Sequence, residues 1–176
     1  DQIDIISLHD FPNYVAPKET GSTFEENALL KAEHACHELQ KSVLADDSGL
    51  IVPSLNHSPG VYSARYAGEA SSDADNRKKL LYELRGKPSP DRAAYFECCI
   101  ALVVPEKQAK CISATCEGSI TKKEKGGNGF GYDSIFLKEG YTKTFGELTE
   151  ATKNRISHRR KAFDKLLSIF ELLIQN

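Results

Sequence analysis

Val43-Leu44-Ala45-Asp46-Asp47-Ser48-Gly49-Leu50-Ile51-Val52 is the stretch on which the reading of this chain turns. Two apolar runs flank a pair of adjacent carboxylates, a hydroxyl and a glycine. Side chains along an extended strand alternate between its faces, so Asp46 and Asp47 reach one site together only if the strand ends or bends there. Gly49 permits such a bend, with a second strand continuing to Val52. Carboxylates emerging at a strand end are placed to hold a divalent cation and to take a proton from water. The commoner use of this composition is a turn in a hairpin.

Upstream, Ile3 to Leu8 reads as a short β-branched strand, followed by a loop with Pro12, Pro17 and Gly21. Ser22 with Glu25, or Thr23 with Glu26, forms a capping box that opens a helix. Along it Phe24, Ala28, Ala32, Ala35 and Leu39 make one stripe, and Asn27, Lys31 and His34 another. Downstream, a loop from Asn56 to Gly68 carries Tyr62-Ser63-Ala64-Arg65-Tyr66. Its aromatics are expected as loop anchors and Arg65 as solvated. A second helix is expected from Ser72 to Arg85, with Leu80, Leu81 and Leu84 inward and Gly86 as its stop. A long strand follows over Ala94 to Val104. Gln108 to Ile120 reads as one irregular strand or two.

The 176 residues, 40% of them hydrophobic, suffice for one domain with a substantial core. A net charge of −2 gives no sign of a general nucleic-acid or membrane-surface binder. The longest apolar run, Cys98 to Val104, is too short to cross a bilayer. There is no signal-peptide pattern. Five cysteines without a C-x-x-C pair point to free, buried thiols in a reducing compartment, and the cytoplasm fits. The chain contains no methionine, so Asp1 is not expected to be where translation begins.

Gly126-Gly127-Asn128-Gly129-Phe130-Gly131 is the most flexible stretch. It has neither dinucleotide-fingerprint spacing nor the Gly-Lys-Ser/Thr of a P-loop, and Asp133 to Leu137 after it reads as strand. It serves as a hairpin loop or as backbone passing close to a ligand, with Phe130 and Tyr132 as stacking faces and Asp133 as a polar contact. Thr149 to Arg155 is a polar turn or short helix. Ser157 caps the last helix, whose first turn holds His158, Arg159, Arg160 and Lys161. Cations there oppose the helix dipole at about 0.3–1 kcal/mol each, so a partner such as a nucleotide's acceptor groups is expected. Phe163, Leu166, Leu167, Phe170, Leu173 and Ile174 make the rest of that helix apolar enough to pack on the sheet and under a second subunit.

These blocks, in order, resemble the inosine triphosphate pyrophosphatase family. The resemblance rests on Glu19-Thr20-Gly21, Thr23-Phe24-Glu25-Glu26-Asn27-Ala28, Ala45-Asp46-Asp47-Ser48-Gly49-Leu50, Pro59-Gly60-Val61-Tyr62-Ser63-Ala64-Arg65-Tyr66, Phe130-Gly131-Tyr132-Asp133 and Ser157-His158-Arg159, and covers nearly the whole chain. It implies Mg²⁺-dependent hydrolysis of deaminated purine nucleoside triphosphates (ITP, dITP and XTP) to monophosphate and pyrophosphate. By the same resemblance, Asp47 is the general base, and Glu19 with Asp46 or Asp47 are the metal ligands. Lys31 meets the phosphate chain, with Asn27 one turn away. Phe130, Gly131, Tyr132 and Asp133 hold the base, with Ser48 nearby and Lys153, His158 and Arg159 reading its edge. Glu25 and Glu26 are alternatives to Glu19 but are preferred as caps.

The fold expected is a single α/β domain over residues 1–176. A long, mixed and strongly twisted sheet is flanked by helices, with the site in a cleft between two lobes. A homodimer is expected from the family. Members of the family open with a strand, a loop bearing an asparagine and a lysine, and a helix, none of which precedes Asp1 in this sequence. A rival expectation is therefore a non-catalytic nucleotide-binding or interaction protein without the phosphate loop. Another is a related pyrophosphatase for modified pyrimidines.

Overall fold

The register of one strand organises the fold. Val43–Ile51 forms β1 without a break through Asp46, Asp47, Ser48 and Gly49, pairing antiparallel with β2, Ala93–Val103. The pairs run from Val43↔Val103 to Ile51↔Tyr95 with none skipped, so the expected bend at Gly49 does not occur. Glycine is required there for space. A Cβ at Gly49 would lie 2.5 Å from Ser63 Oγ, 2.6 Å from Gly60 O and 2.8 Å from Phe24 Cε1, because the turn Gly60–Arg65 lies against the strand. The computed structural model describes residues 4–175, and side chains as far as residue 168.

β3, Lys110–Ile120, is one unbroken strand antiparallel to β2, and β4, Phe136–Lys138, pairs antiparallel with β3. The order is β1-β2-β3-β4. The α/β class with a helix-flanked sheet is as expected. Every strand pairing among the described residues is antiparallel, where a mixed sheet was anticipated. The strand anticipated over Asp133 to Leu137 is shorter, since hydrogen bonds from Ile135 N and Phe136 N to Tyr132 O hold its first part as a turn.

Helix α1, Phe24–Leu39, covers one face of β1 and β2; α4, His158–Gln175, covers β2 and β3 on the other. The alternation in β2 confirms the sandwich: Cys99, Ala101 and Val103 pack with Ala28, Ala32 and Cys36 of α1, whereas Cys98, Ile100 and Leu102 pack with Ala162 and Leu166 of α4. A strand buried on both faces reads as an uninterrupted apolar run, which is what Cys98 to Val104 is. A third cluster joins Leu80 of α2, Asp73–Glu83, and Leu84 just past its end to Phe96, Phe136 and Phe145. The rings of Phe96 and Phe136 meet edge-to-face at 4.7 Å.

Helix starts follow the sequence closely. Ser72 opens α2 with a reciprocal capping box to Asp75. Thr23 Oγ1 caps α1 by accepting from Glu26 N at 3.1 Å, but the Glu26 carboxylate turns to Ser22 N and Oγ at 2.6 and 2.8 Å, merging the two anticipated boxes. The polar segment after Thr149 is the short helix α3, Glu150–Ile156. The anticipated first strand is absent over the described part of its span. Residues 4–7 carry no regular structure, Leu8–Asp10 is a single turn, and Ile5 and Ile6 are exposed, because β-propensity without a neighbouring strand makes no ladder. Ile3 lies outside the described residues, as do the side chains of Phe170, Leu173 and Ile174 on which the covered-helix expectation leaned. No helix among the described residues is long and apolar enough to cross a membrane, and all five cysteines are free thiols.

Arg92, only 6% exposed, ties this frame together. Its guanidinium donates to Leu84 O and Ile120 O, each at 2.7 Å, and to Thr121 O, joining the end of α2 to the end of β3. Replacing it by leucine removes all three bonds, and of the three acceptors Leu84 O keeps a donor in Lys87 N at 3.2 Å. Arg92→Leu is expected to lose roughly 2–4 kcal/mol of stability, read from the urea midpoint.

Candidate active site

Because β1 is regular, its adjacent carboxylates face opposite ways. Asp47 turns toward α1, where Asn27 and Lys31, four residues apart, share a face. Asn27 Nδ2 donates to Asp47 Oδ2 at 3.1 Å, and Lys31 Nζ lies 3.2 Å from Asp47 Oδ1 and 2.8 Å from Glu19 Oε1. Asn27 is fully buried and also accepts from Gly21 N at 2.8 Å, which ties the loop carrying Glu19 to the helix. Arg65 Nη1 approaches the other Glu19 oxygen at 3.9 Å. Glu19, Asn27, Lys31 and Asp47 are thus brought together, and Arg65, expected to be solvated, joins them. The Tyr-Ser-Ala-Arg-Tyr block was its only sequence signal.

Burial raises the pKa of Asp47 above the ordinary aspartate value, and neighbouring Glu19 adds to this. The Lys31 charge and the Asn27 amide pull the other way without cancelling it. Burial alone would lower the pKa of Lys31, but its hydrogen bond to Glu19 and the Asp47 and Glu19 charges more than compensate, and the ammonium is held charged. Two hard carboxylates therefore converge on one cationic point. Among the described residues no group of three or more His, Cys, Asp or Glu side chains gathers to hold a metal by itself. Mg²⁺ commonly takes one or two carboxylates and completes its shell with substrate phosphates and water, and Glu19 with Asp47 fit that pattern.

Asp46 is not part of this cluster, so of the two aspartates offered as a metal ligand beside Glu19 only Asp47 stands near it. It accepts from Arg159 Nε and from Ser48 Oγ, both at 2.9 Å, on the other face of the strand. Burial works to raise its pKa, but the Arg159 charge and hydrogen bond, with help from Ser48, outweigh it and hold Asp46 below the usual range.

On that face lies a pocket of about 210 Å³ lined by Ser48, Phe130, Gly131, Tyr132, Asp133, Lys153, His158 and Arg159, the residues assigned to base recognition by the resemblance. Phe96, Ser63 and Asp73 also line it, and none of the three is among the residues expected for this pocket from the sequence. Asp133 is 3% exposed, accepts from Phe130 N at 2.9 Å and pairs with the Lys153 ammonium. Lys153 Nζ sits 4.3 Å from the centre of the Phe130 ring, which is 63% exposed. Tyr132 lines the pocket but is only 3% exposed. Its ring belongs to the core, and its hydroxyl donates to Ser63 O at 2.9 Å.

The basic turn at the start of α4 finds its partners inside the protein. Arg159 has Asp46, Arg160 has Asp164 at 2.8 Å, and Lys161 donates to Thr115 O at 2.8 Å. His158 stacks on Phe96 at 4.8 Å and 11°. Burial, reinforced by the charges of Arg159 and Lys153, pushes its pKa down to about 3, so the imidazole is neutral. Its Nδ1 is buried without a hydrogen-bond partner.

Known proteins match this chain over most of its length. The dITP/XTP pyrophosphatase of Protochlamydia amoebophila (strain UWE25) is 54% identical over 172 residues, covering 97% of this chain and 86% of the relative. The solved structure of the Staphylococcus aureus Ham1 protein superposes with a TM-score of 0.87 at 46% identity, over 93% of this chain and 84% of that one. That of the nucleoside-triphosphatase / dITP/XTP pyrophosphatase from Mycobacterium abscessus gives 0.81 at 42%, over 94% and 84%. With the profile of the Ham1 family matching residues 1–169, the chain belongs to that family.

Proposed function

We propose that this chain hydrolyses deaminated purine nucleoside triphosphates, ITP, dITP and XTP, to the monophosphate and pyrophosphate. The observation that carries this reading is the pairing, across one strand, of a carboxylate–lysine cluster suited to phosphates with a pocket rich in hydrogen-bond donors. The dITP/XTP pyrophosphatases at 54% identity support it.

In this reading Asp47, its pKa raised by burial, takes the proton from the water that attacks the α-phosphorus. Lys31 leaves its carboxylate partners to meet negative charge on the departing pyrophosphate. Glu19 and Asp47 would hold Mg²⁺, which when bound neutralises charge on the phosphate oxygens. The base enters between Phe130 and the Lys153, His158 and Arg159 side. Inosine and xanthosine carry an acceptor oxygen at position 6, which suits the Lys153 ammonium and the Arg159 guanidinium. Adenine carries an amino donor there, and each donor left facing a donor costs about 1–3 kcal/mol. Asp46 serves the base side by holding Arg159. The same reading makes the enzyme a cytoplasmic homodimer, supported by its free thiols and by the exposed Leu167 and partly exposed Phe163 of α4.

With Mg²⁺, purified protein is expected to convert ITP to IMP and pyrophosphate far faster than it converts ATP, and chelation by EDTA to stop this until Mg²⁺ is restored. Asp47→Asn is expected to lower kcat about 10²–10⁴-fold with circular dichroism unchanged. A variant within a few-fold of the original rate would remove Asp47 as the base.

His158 supplies a pH test. Its native pKa of about 3 lies below its ordinary 6.5, so between those values the unfolded chain binds the proton that the folded one refuses. This group's contribution is therefore nearly complete well above pH 6.5 and is lost as the pH drops toward 3, by about 1.4 kcal/mol per unit. Urea midpoints at pH 7.5 and 5.5 should separate accordingly, and His158→Leu should narrow the gap.

A further inference from the structure

We propose that Asp73 and Arg77 of α2 clamp the backbone of Gly131, one at its N–H and the other at its carbonyl, and so hold Phe130 at the pocket, which makes them positioning residues for the substrate's base. The proposal rests on the reading of that pocket as the base site. Asp73 and Arg77 are four apart and share one face of α2. Gly131 N donates to Asp73 Oδ2 at 2.6 Å, and Arg77 Nη1 donates to Gly131 O at 2.8 Å. Arg77 Nε reaches on to Glu124 Oε2 at 2.9 Å, and Ser134 Oγ donates to that same oxygen at 3.0 Å. One guanidinium thus grips the loop at Gly131 and, through Glu124, at Ser134.

This grip bears on the site because the core does not hold Phe130. The residue is 63% exposed, lies outside the core clusters and has two cations near its ring, Lys153 Nζ at 4.3 Å and Arg159 Cζ at 5.8 Å. The backbone must place the ring, and Gly131 has φ +57°, a conformation side-chain-bearing residues rarely adopt. The helix carrying the clamp is itself fixed. Ser72 caps it, Leu80 and Leu84 are fully buried, and Asn76 bonds Ala64 O, Ala67 N and Ser71 Oγ of the preceding loop. The simpler role for Asp73 is a favourable charge at the α2 N-terminus, and its carboxylate would do that without touching Gly131.

Steady-state kinetics on ITP, melting temperatures and inhibition by inorganic tripolyphosphate separate the two roles. Asp73→Ala should raise KM on the order of tenfold while kcat stays within about twofold, the pattern of lost substrate positioning. Asp73→Asn keeps an oxygen that accepts from Gly131 N and should restore most of the original KM. Tripolyphosphate carries no base, so its inhibition constant should not move. If Asp73→Ala fails to fold, Arg77→Lys carries the same expectation, because one ammonium cannot reproduce the fork between Gly131 and Glu124. An unmoved KM in these variants overturns the clamp, as does an asparagine variant as impaired as the alanine one with losses that follow melting temperature. No ITP turnover by the unaltered protein would overturn the reading of the site, and the clamp with it.

Discussion

An extended backbone has a side-chain period of two, and in β1 that period is enforced by nine consecutive pairings with β2. Two neighbouring aspartates are thereby committed to separate tasks. Asp47 joins Asn27, Lys31 and Glu19 under α1, and Asp46 joins Ser48 and Arg159 beside the aromatic pocket. A slip of one residue in the register would exchange the two environments. In the proposed reaction the strand therefore links the phosphate side to the base side, and Gly49 leaves room for the turn at Gly60–Arg65 against it.

Electrostatics on the two faces follow different rules. Under α1, two carboxylates share a lysine, and burial leaves Asp47 more basic than an ordinary aspartate while Lys31 keeps its charge. Beside α4, four potential cations crowd a helix N-terminus that repels them. Three are answered by an anion or a carbonyl oxygen, and the fourth, His158, is kept neutral by burial and by its charged neighbours. A neutral ring flat against Phe96 presents a fixed shape to the pocket and adds no further charge there.

Rigidity around the pocket comes from backbone groups paired with side chains rather than from apolar packing alone. Ser63 Oγ accepts from Leu50 N and donates to Gly60 O, and Tyr132 anchors the glycine-rich loop to Ser63 O. Arg92 and Asn76 do the same for the two ends of the third core cluster. Loops built this way stay ordered while leaving Phe130 exposed at the rim.

The sequence by itself determined the helix starts, through Thr23, Ser72 and Ser157, and the apolar stripe of α1, because capping and periodicity are local. It also made the site residues legible as blocks in order, Asp47 with Lys31 and the Phe130–Asp133 stretch among them. What only the tertiary structure decided was whether Asp46 and Asp47 point together or apart, since that depends on pairing with residues fifty positions away. Tyr132 looked like an exposed ring, and the fold packs it into the core at the pocket wall; Ile5 and Ile6 looked like strand and have no ladder to join among the described residues. Arg65, Asp73 and Arg77 gave little or no local signal, because a charged residue in a loop or on a helix acquires its task only from the chain that folds against it.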